Sequence, residues 1–299
     1  MHSPGGSAVA IGNFDGVHLG HQALINSCRR FATNGEQVAV VTFEPLPQAY
    51  FRPEVAPARL STVYGKLKLL REVGVDLTWL MRFDRSMAGM DAGQFVQQVL
   101  VEGLQARHVA VGGDFRFGRN RQGDVELLNR MGSEAGFDVV TVPSVLNGGE
   151  RVSSTDIRRL LSVGEFEAAA ARLGRPFRME GRVVRGAGLG RKLGYPTANL
   201  RIRSLPSPLG GVLAAWSRIG CGPWLPAVTN LGRRPAVGGS EPLLEVHFFD
   251  FDRDIYGQRL EVQFVAKLRD ELHFASIDKL VERMSRDEQQ ARRILASEE

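Results

Sequence analysis

Two histidines stand three residues apart in a glycine-rich segment near the start of the chain. Residues 12–21 read G-N-F-D-G-V-H-L-G-H and follow a short apolar run that predicts a buried strand. His18 and His21 would share one face of the first turn of the next helix, where free N–H groups and a partial positive charge favour an anion. Two imidazoles can hydrogen-bond triphosphate oxygens there and stabilise charge on an α-phosphorus. The segment therefore predicts a nucleotidyl-transfer site.

A glycine turn with two surface histidines is the alternative interpretation of the same segment. The glycines, the aspartate and the strand–turn–helix setting together favour the site. The pattern G-x-x-x-x-G-K-[ST] does not occur in the sequence, which excludes a P-loop. A zinc site is disfavoured because no third ligand accompanies the two histidines.

A second segment supports phosphate binding. Residues 153–158 read S-S-T-D-I-R at a predicted helix start. The hydroxyls of Ser154 and Thr155 could simply cap the helix. Arg158 falls in the first turn, where it opposes the helix dipole, so a bound phosphate explains it better than helix stability does. We expect all three side chains to bind ATP.

The second half of the chain has its own glycine-rich segment. Residues 186–199 read G-A-G-L-G-R-K-L-G-Y-P-T-A-N, and Gly186, Gly188 and Gly190 would allow a loop over phosphates. Thr197 and Asn199 lie two apart on a predicted strand, so their side chains point the same way. A hydroxyl and an amide oxygen side by side suit Mg²⁺ with a phosphate, although a polar outer face is the alternative.

Glu245 lies in the middle of a predicted strand beside apolar neighbours. A carboxylate there could accept the proton of a primary hydroxyl as that hydroxyl attacks a γ-phosphate. The alternative is an ordinary pairing with His247 or an arginine.

Strands and helices alternate in the first half of the sequence. We predict strands at 8–11, 38–43, 76–83, 109–111 and 139–142 and helices at 21–34, 62–73, 91–104 and 124–135. Such alternation favours a parallel sheet covered on both faces. Loops that follow its strands meet at one edge, where ligands bind.

Closely spaced strands replace this pattern after about residue 175. Strand-like segments lie at 179–185, 196–203, 211–219, 243–249 and 259–267, and a final helix covers 276–295. They predict a small antiparallel barrel. Two short helices between 155 and 173 would link the halves, so we predict domains at residues 1–174 and 175–299.

Composition is that of a globular protein that can bury a core. The 299 residues carry a net charge of +5, with the basic residues spread along the chain, and such dispersed charge disfavours a nucleic-acid partner. Two distant cysteines indicate free thiols in a reducing compartment. The amino-terminal residues lack a signal-peptide pattern, and no apolar run could cross a bilayer. We expect a cytoplasmic monomer or weak homo-oligomer with no membrane partner.

The first half resembles a known family. H-x-G-H followed by S-S-T-x-I-R is similar to nucleotidyltransferases with the HIGH-type signature, which have a Rossmann-like parallel sheet. With T-F-E-P at 42–45 and G-D-F-R-F-G at 113–118, it resembles the bacterial bifunctional riboflavin kinase/FAD synthetase. The resemblance covers nearly the whole chain. It implies that Gly12, Phe14 and Asp15 also bind ATP and that the site transfers AMP to FMN.

The second half resembles the riboflavin kinase domain of that family. P-T-A-N at 196–199, N-L-G at 230–232, E-V-H at 245–247 and D-I-Y-G at 254–257 carry the resemblance. It implies that Thr197 and Asn199 hold Mg²⁺ and ATP and that Glu245 is the general base.

Flavin binding follows from the resemblance too. Asp114, Phe115 and Phe117 lie in a loop that the resemblance assigns to FMN, where the aromatic pair could pack on an isoalloxazine ring. Local core packing is the alternative for the two phenylalanines. The segment 267–271 also matches the family, and Arg269 within it is expected to bind flavin.

The chain departs from the family pattern at several positions. Leu46 replaces the histidine of T-F-E-P-H-P, which would slow adenylylation if that histidine contacts ATP. Residues 234–236 read R-P-A where the family has R-P-T.

Three functions therefore remain open. The first is a bifunctional enzyme that uses riboflavin, FMN and ATP with Mg²⁺. The second is a kinase whose first half only binds a flavin or nucleotide, for which Leu46 is the support. The third is a basic RNA-binding or regulatory protein, which would lose RNA affinity steeply with salt but leaves P-T-A-N and Glu245 unexplained.

Overall fold

The computed structural model describes residues 5–33, 35–186, 188–201, 207–233 and 242–297. Residues 234–236 and the end of the predicted strand 196–203 lie outside this range. The chain divides into two compact units, residues 1–57 with 63–154 and residues 58–62 with 155–299. The two helices that the sequence marks as a link belong to the second unit. The predicted domain boundary at residue 174 is the place where the sequence divides into two activities, and it stays a prediction.

Five strands of the described residues form a parallel sheet in the first unit. Their order is β3-β2-β1-β4-β5, and every neighbouring pair is parallel. The bounds are β1 (Ser7–Ile11), β2 (Gln37–Glu44), β3 (Leu77–Arg82), β4 (Ala106–Gly112) and β5 (Asp138–Val142). The prediction of an α/β half built on a parallel sheet is confirmed.

The central strand is apolar from Ala8 to Ile11, because both of its faces are covered. Val9 and Ile11 belong to a hydrophobic cluster on one face of the sheet, while Ala8 and Ala10 belong to a second cluster on the other. Alternate side chains of a strand point to opposite faces. A run without polar residues is therefore what a doubly covered strand requires.

Helices and short segments connect these strands. They are α1 (Leu19–Phe31), α2 (Pro47–Phe51), α3 (Val63–Glu72), α4 (Arg85–Gly89), α5 (Ala92–Phe95), π-helical turns Val96–Gly103 and α6 (Val125–Ala135), with the hairpin strands β6 (Leu146–Asn147) and β7 (Glu150–Arg151). Asp91 begins its helix as predicted, because its side chain accepts from the backbone of Gln94 in a capping box. The helix that it starts continues as π turns rather than as an α-helix to residue 104.

Six strands of the described residues close into an antiparallel barrel in the second unit, in the order β10-β11-β12-β9-β8-β13. The bounds are β8 (Arg178–Val184), β9 (Ala198–Arg201), β10 (Gly211–Ile219), β11 (Leu225–Arg233), β12 (Pro242–Phe248) and β13 (Arg259–Arg269). The predicted barrel is confirmed. Strand β11 is absent from the prediction because it contains Pro226, Asn230 and Gly232, residues that are depleted in strands.

Helices complete the second unit. They are α7 (Ser154–Val163), α8 (Phe166–Leu173), α9 (Leu189–Lys192) and α10 (Ile277–Ala296). Helix α10 buries Ala291 and Leu295 against Ala214 and Phe249 of the barrel, and Ser276 caps its start. Among the helices that the structure describes, none has the length and apolar character needed to cross a bilayer.

Candidate active sites

The loops that follow β1 and β4 line one cavity in the first unit. The two strands are neighbours, and the strand order reverses between them, because β2 lies on the other side of β1. Parallel sheets bind ligands at such a switch point. The cavity has a volume of about 1010 Å³ and is lined by residues of both loops, among them Gly12, Asn13, His18, Asp114 and Phe115.

The two histidines of the first loop lie together at the start of α1. Their ring centroids are 3.7 Å apart with the planes at 18°, which confirms that they share one face. His18 caps the helix, since its Nδ1 accepts from the backbone N–H of His21 at 3.4 Å. Both rings line the cavity. An anion at this helix start would meet two imidazole rings and the positive end of the helix dipole.

The loop before the histidines is strained. Phe14 and Val17 have φ of 48° and 43°, the left-handed region that a β-branched residue such as Val17 rarely adopts. Both residues are fully buried, so packing holds them in this conformation. Phe14 and the buried Asp15 are not among the described residues that line the cavity. Their predicted part in ATP binding stays a prediction, and the Phe14 ring lies in the core beneath the loop.

The start of α7 is tied to the same loop. Ser154 Oγ donates to the backbone carbonyl of Asp15 at 3.1 Å, and Ser153 and Ser154 line the cavity. Thr155 and Arg158 belong to the second compact unit, where Arg158 Nε donates to the carbonyl of Ala58. Their predicted contact with ATP stays a prediction.

Aromatic side chains form one wall of the first cavity. Phe115 and Phe117 stack with centroids 5.4 Å apart and planes at 13°, and both line the cavity. Phe117 also packs on Phe95 at 5.7 Å in the hydrophobic core. The core interpretation therefore describes Phe117 well, while Phe115 is only partly buried and offers a face to a planar ligand.

The first cavity is basic. Among the residues that the structure describes, its charged lining consists of Arg52, Arg116, Arg121, Arg151 and Asp114. Arg151 donates to Asp114 Oδ2 at 2.8 Å, and this hydrogen bond lowers the pKa of the carboxyl group. Asp114 is therefore ionised at neutral pH, and four arginines still outnumber it. Phosphate groups are the ligands that such a cavity would attract.

Leu46 lies in the interior. It is 3% exposed and precedes α2, whose residues Pro47 and Gln48 line the cavity. Leu46 is not among the described lining residues. Position 46 is therefore an interior position in this chain, and the expected effect of Leu46 on adenylylation stays a prediction.

The barrel encloses a second cavity, of about 360 Å³. The sequence-predicted residues that line it are Gly188, Gly190, Thr197, Asn199, Glu245 and Arg269. Asn199 is 5% exposed, and its amide nitrogen donates to the carbonyl of Thr197 at 3.4 Å. The amide oxygen of Asn199 therefore points away from the Thr197 carbonyl.

Strand register brings three polar side chains together in the second cavity. Glu245 on β12 pairs with Asn199 on β9 and with Asn230 on β11. Directly opposed residues on neighbouring strands point to the same face. All three line the cavity, so a carboxylate stands between two amides.

Three glycines of the segment 186–199 are required for different reasons. Gly188 and Gly190 line the second cavity, whereas Gly186 is not among its described lining residues. A side chain at Gly186 would collide with the amide of Asn199, and one at Gly190 would collide with the carbonyl of Tyr195. Gly188 has open space around it but a φ of 70°, which glycine adopts without strain.

Asn230 is a site residue that the sequence-based assignment omits. Its Oδ1 is a buried atom without a hydrogen-bond partner among the described residues. Leaving such an acceptor unsatisfied costs free energy, so an incoming hydroxyl or ligand-bound proton donor would stabilise it. The signal was present in N-L-G at 230–232, but β11 was not recognised as a strand facing the cavity.

Arg269 is held by the terminal helix. It donates to Asp287 of α10 from Nε and from Nη2, at 2.8 Å each, and its Nη1 donates to the carbonyl of Asp270 at 2.9 Å. Arg283 donates to the other oxygen of Asp287 at 3.0 Å. These hydrogen bonds fix the guanidinium group of Arg269 in place. Its predicted contact with flavin stays a prediction.

The donors of the second cavity suit a hard cation. Thr197, Asn199 and Glu245 provide hydroxyl, amide and carboxylate oxygens, which are ligands that Mg²⁺ accepts. Among the described residues, no cluster of three or more His, Cys, Asp or Glu side chains could hold a metal by itself. A cation here would therefore be shared with the phosphates of a nucleotide, as Mg²⁺ usually is.

Lys66 is a second residue that the sequence-based assignment missed. It lies on α3 and is fully buried, and its Nζ donates to the carbonyl of Asn13 at 2.9 Å and to Thr42 Oγ1 at 3.3 Å. A lysine in an amphipathic helix is normally solvent-exposed. The available signal was its spacing of four residues from the buried Leu70, which places both on the inner face of the helix.

Comparison with protein families assigns each half to a different model. Residues 1–156 match the model described as FAD synthetase, and residues 173–295 match the model described as riboflavin kinase. The two matches leave most of α7 and α8 between them.

Full-length relatives have similar sequences. A bifunctional riboflavin kinase/FMN adenylyltransferase of Escherichia coli K12 is 43% identical over 96% of this chain and 92% of its own. The enzyme of the same name from Haemophilus influenzae is 40% identical over 96% and 94%. A crystal structure described as a macrolide-efflux protein from Streptococcus pneumoniae superposes with a TM-score of 0.81 at 29% identity, covering 98% of this chain and 95% of that one.

Proposed function

The chain belongs to the family of bifunctional riboflavin kinases/FMN adenylyltransferases, and we propose that it carries out both reactions of that name. The barrel unit transfers the γ-phosphoryl group of ATP to riboflavin, which yields FMN and ADP. The sheet unit transfers AMP from a second ATP to FMN, which yields FAD and pyrophosphate. The observation that supports this most directly is that each unit has its own cavity, one basic and one rich in carboxylates.

Glu245 is the general base of the kinase reaction. It accepts the proton of the primary hydroxyl of riboflavin as that oxygen attacks the γ-phosphorus, and the bond from that phosphorus to ADP breaks. Asn199 and Asn230 flank it in the strand register. The loop of Gly186, Gly188 and Gly190 covers the phosphates of ATP.

Thr197 and Asn199 would hold Mg²⁺ in the kinase site. The ion supplies neutralisation of charge on the β- and γ-phosphates. The hydrogen bond from the Asn199 amide nitrogen to the Thr197 carbonyl orients the amide oxygen that this binding needs.

His18 and His21 stabilise the adenylyl transfer. A phosphate oxygen of FMN attacks the α-phosphorus of ATP, and the bond from that phosphorus to the departing pyrophosphate breaks. The stacked imidazoles at the start of α1 donate to oxygens whose negative charge grows in the transition state.

The remaining residues of the first site bind its substrates. Gly12, Phe14, Asp15, Ser154, Thr155 and Arg158 form the proposed ATP site. Asp114, Phe115 and Phe117 take the flavin of FMN, and the stacked pair supports that assignment.

The division of the activities falls at residues 174 and 175 in this proposal. Arg269 takes part in flavin binding in the second domain. The chain acts as a monomer or weak homo-oligomer. It acts in the cytoplasm, and the free thiols of Cys28 and Cys221 suit that reducing compartment.

Two assays on the purified full chain test the proposal. Riboflavin with ATP and Mg²⁺ should give FMN and ADP, and FMN with ATP and Mg²⁺ should give FAD and pyrophosphate. Chromatography of the flavins, together with a pyrophosphate assay, measures both. Formation of FMN without FAD would mean that the first unit only binds its ligand, and absence of both products would refute the proposal.

A further inference from the structure

We propose, on the basis of the proposed function, that Lys66 is a positioning residue for the adenylylation of FMN. Its buried ammonium group holds the backbone of Asn13 and thereby fixes the loop of residues 12–18, which leads to His18. It does not contact the substrate. It acts through the loop.

Two side chains, Lys66 and Thr42, donate to the carbonyl of Asn13. Lys66 Nζ donates to the Asn13 carbonyl at 2.9 Å, and Thr42 Oγ1 donates to the same oxygen at 3.0 Å. Lys66 also donates to Thr42 Oγ1 at 3.3 Å. The three groups come from α3, β2 and the loop after β1, so the contacts join three elements that are distant in sequence.

This anchor lies directly behind the first cavity. Lys66 and Thr42 are fully buried, whereas Asn13 is exposed and lines the cavity. The two donors draw the negative end of the Asn13 carbonyl into the interior. An oxygen that instead faced the cavity would repel the phosphates of ATP.

The loop needs such an anchor because its backbone is strained. Phe14 and Val17, on either side of Asp15 and Gly16, have positive φ, and conformations of this kind persist only when the surroundings enforce them. Burial of the Phe14 and Val17 side chains enforces the middle of the loop. Lys66 and Thr42 hold Asn13, near the beginning of the loop.

A lysine is a costly choice for a purely structural contact. Taking an ammonium group out of water costs several kcal/mol unless hydrogen bonds compensate for it, and an apolar side chain would fill the same space without that cost. A positive charge beneath a loop that handles a triphosphate has a use, because its field favours the anion above it.

Four variants of the full chain test the inference. Lys66→Met removes the ammonium group and keeps the length of the side chain, and Lys68→Met removes a charge from the same helix as the matched control. Thr42→Val removes the hydroxyl at nearly constant volume, whereas Thr42→Ser keeps the hydroxyl and removes only the methyl group. Formation of FAD from FMN and of FMN from riboflavin is measured for each, so the kinase activity serves as an internal control of folding.

We expect Lys66→Met to lower kcat/KM for ATP in FAD formation by about thirtyfold, since about 2 kcal/mol is a common loss for a charged hydrogen bond. The KM for ATP should rise while the KM for FMN changes less than twofold. Thr42→Val should lower the same kcat/KM by about tenfold, and Thr42→Ser should keep most of the activity of the unchanged chain. Lys68→Met and all kinase rates should stay within twofold of the unchanged chain.

Equal FAD formation by Lys66→Met and Lys68→Met would overturn the inference. If Lys66→Met fails to fold, the pair at Thr42 decides, and equal loss in Thr42→Val and Thr42→Ser would refute the role of the anchor. Failure of the proposed function is distinct, because then the unchanged chain forms no FAD. Hydrogen exchange of residues 12–18 still answers the question in that case: faster exchange in Lys66→Met than in Lys68→Met supports the anchor, and equal exchange overturns it.

Discussion

The two cavities differ in the charge of their walls. Among the described lining residues, four arginines and one aspartate surround the first, while three carboxylates and one arginine surround the second. Under the proposed function both take ATP, so the nucleotide does not explain the difference. Under the same proposal the flavins would account for it, because FMN carries a phosphate and riboflavin carries none. We therefore expect the charge of the lining to decide which flavin each cavity receives.

The cavities also differ in how their polar groups are held. In the barrel, strand register sets Glu245 between Asn199 and Asn230, so regular backbone hydrogen bonds do the positioning. In the sheet unit, His18 follows a strained loop that depends on contacts with α3 and β2. The first site should therefore be the more sensitive to changes at a distance from its substrates.

Glu245→Gln should have the largest effect. It removes the proposed base while keeping the shape of the side chain, and we expect FMN formation to fall by about a thousandfold while FAD formation from supplied FMN stays unchanged. Glu282→Gln, on the exposed face of α10, is the matched control. Loss of both activities in a folded Glu245→Gln variant would end the assignment of one reaction to each cavity.

His21→Ala should impair the first site and leave the second site active. Loss of one of the stacked imidazoles should reduce FAD formation by about a hundredfold, as expected for one transition-state donor, and leave FMN formation intact. His108→Ala provides a control, because His108 lies on β4 near Asp138 and outside the cavity lining. Unchanged FAD formation in His21→Ala would contradict the proposed role.

Asn230→Leu tests whether the buried amide oxygen of the barrel cavity binds substrate. It replaces the buried acceptor with an apolar group of similar volume, and we expect kcat/KM for riboflavin to fall about tenfold because a substrate hydrogen bond is lost. Thermal unfolding should show that the variant is at least as stable as the unchanged chain, since the unsatisfied oxygen is gone. A fall in stability without a change in kcat/KM would show that Asn230 serves only the fold.

The smallest expected difference between the two reactions is in their dependence on salt concentration. Raising KCl from about 50 to 300 mM should lower kcat/KM for FMN by about fivefold, because ions screen the attraction between the arginines and the anionic flavin. The value for riboflavin should change less than twofold. Equal salt dependence for the two flavins would contradict the charge comparison.

The sequence predicts those parts of the molecule that depend on neighbouring residues. The apolar run of β1, the Asp91 cap and the spacing of Thr197 and Asn199 are local signals. The first two have the expected positions. Thr197 and Asn199 both line the cavity, although β9 begins only at Ala198. The shared face of His18 and His21 was also predicted from their spacing, whereas the stacking of their rings was not.

Features that depend on distant residues were missed. The burial of Lys66 depends on carbonyl and hydroxyl groups that are 53 and 24 residues away in the chain. The anchor of Arg269 is 18 residues away on a different element. Phe14 combines a positive φ with a side chain in the core, and nothing in the pattern of residue types reveals a backbone angle.

The glycine loop of the barrel limits what evolution or engineering can do to the kinase half. At Gly186 and Gly190 the obstacle is space, since even a methyl group would collide with a neighbouring amide or carbonyl. At Gly188 it is backbone conformation alone, so asparagine, which tolerates left-handed angles, is the best-suited replacement. A saturation library over this loop would therefore tolerate one substitution at one of the three glycines and reject the rest.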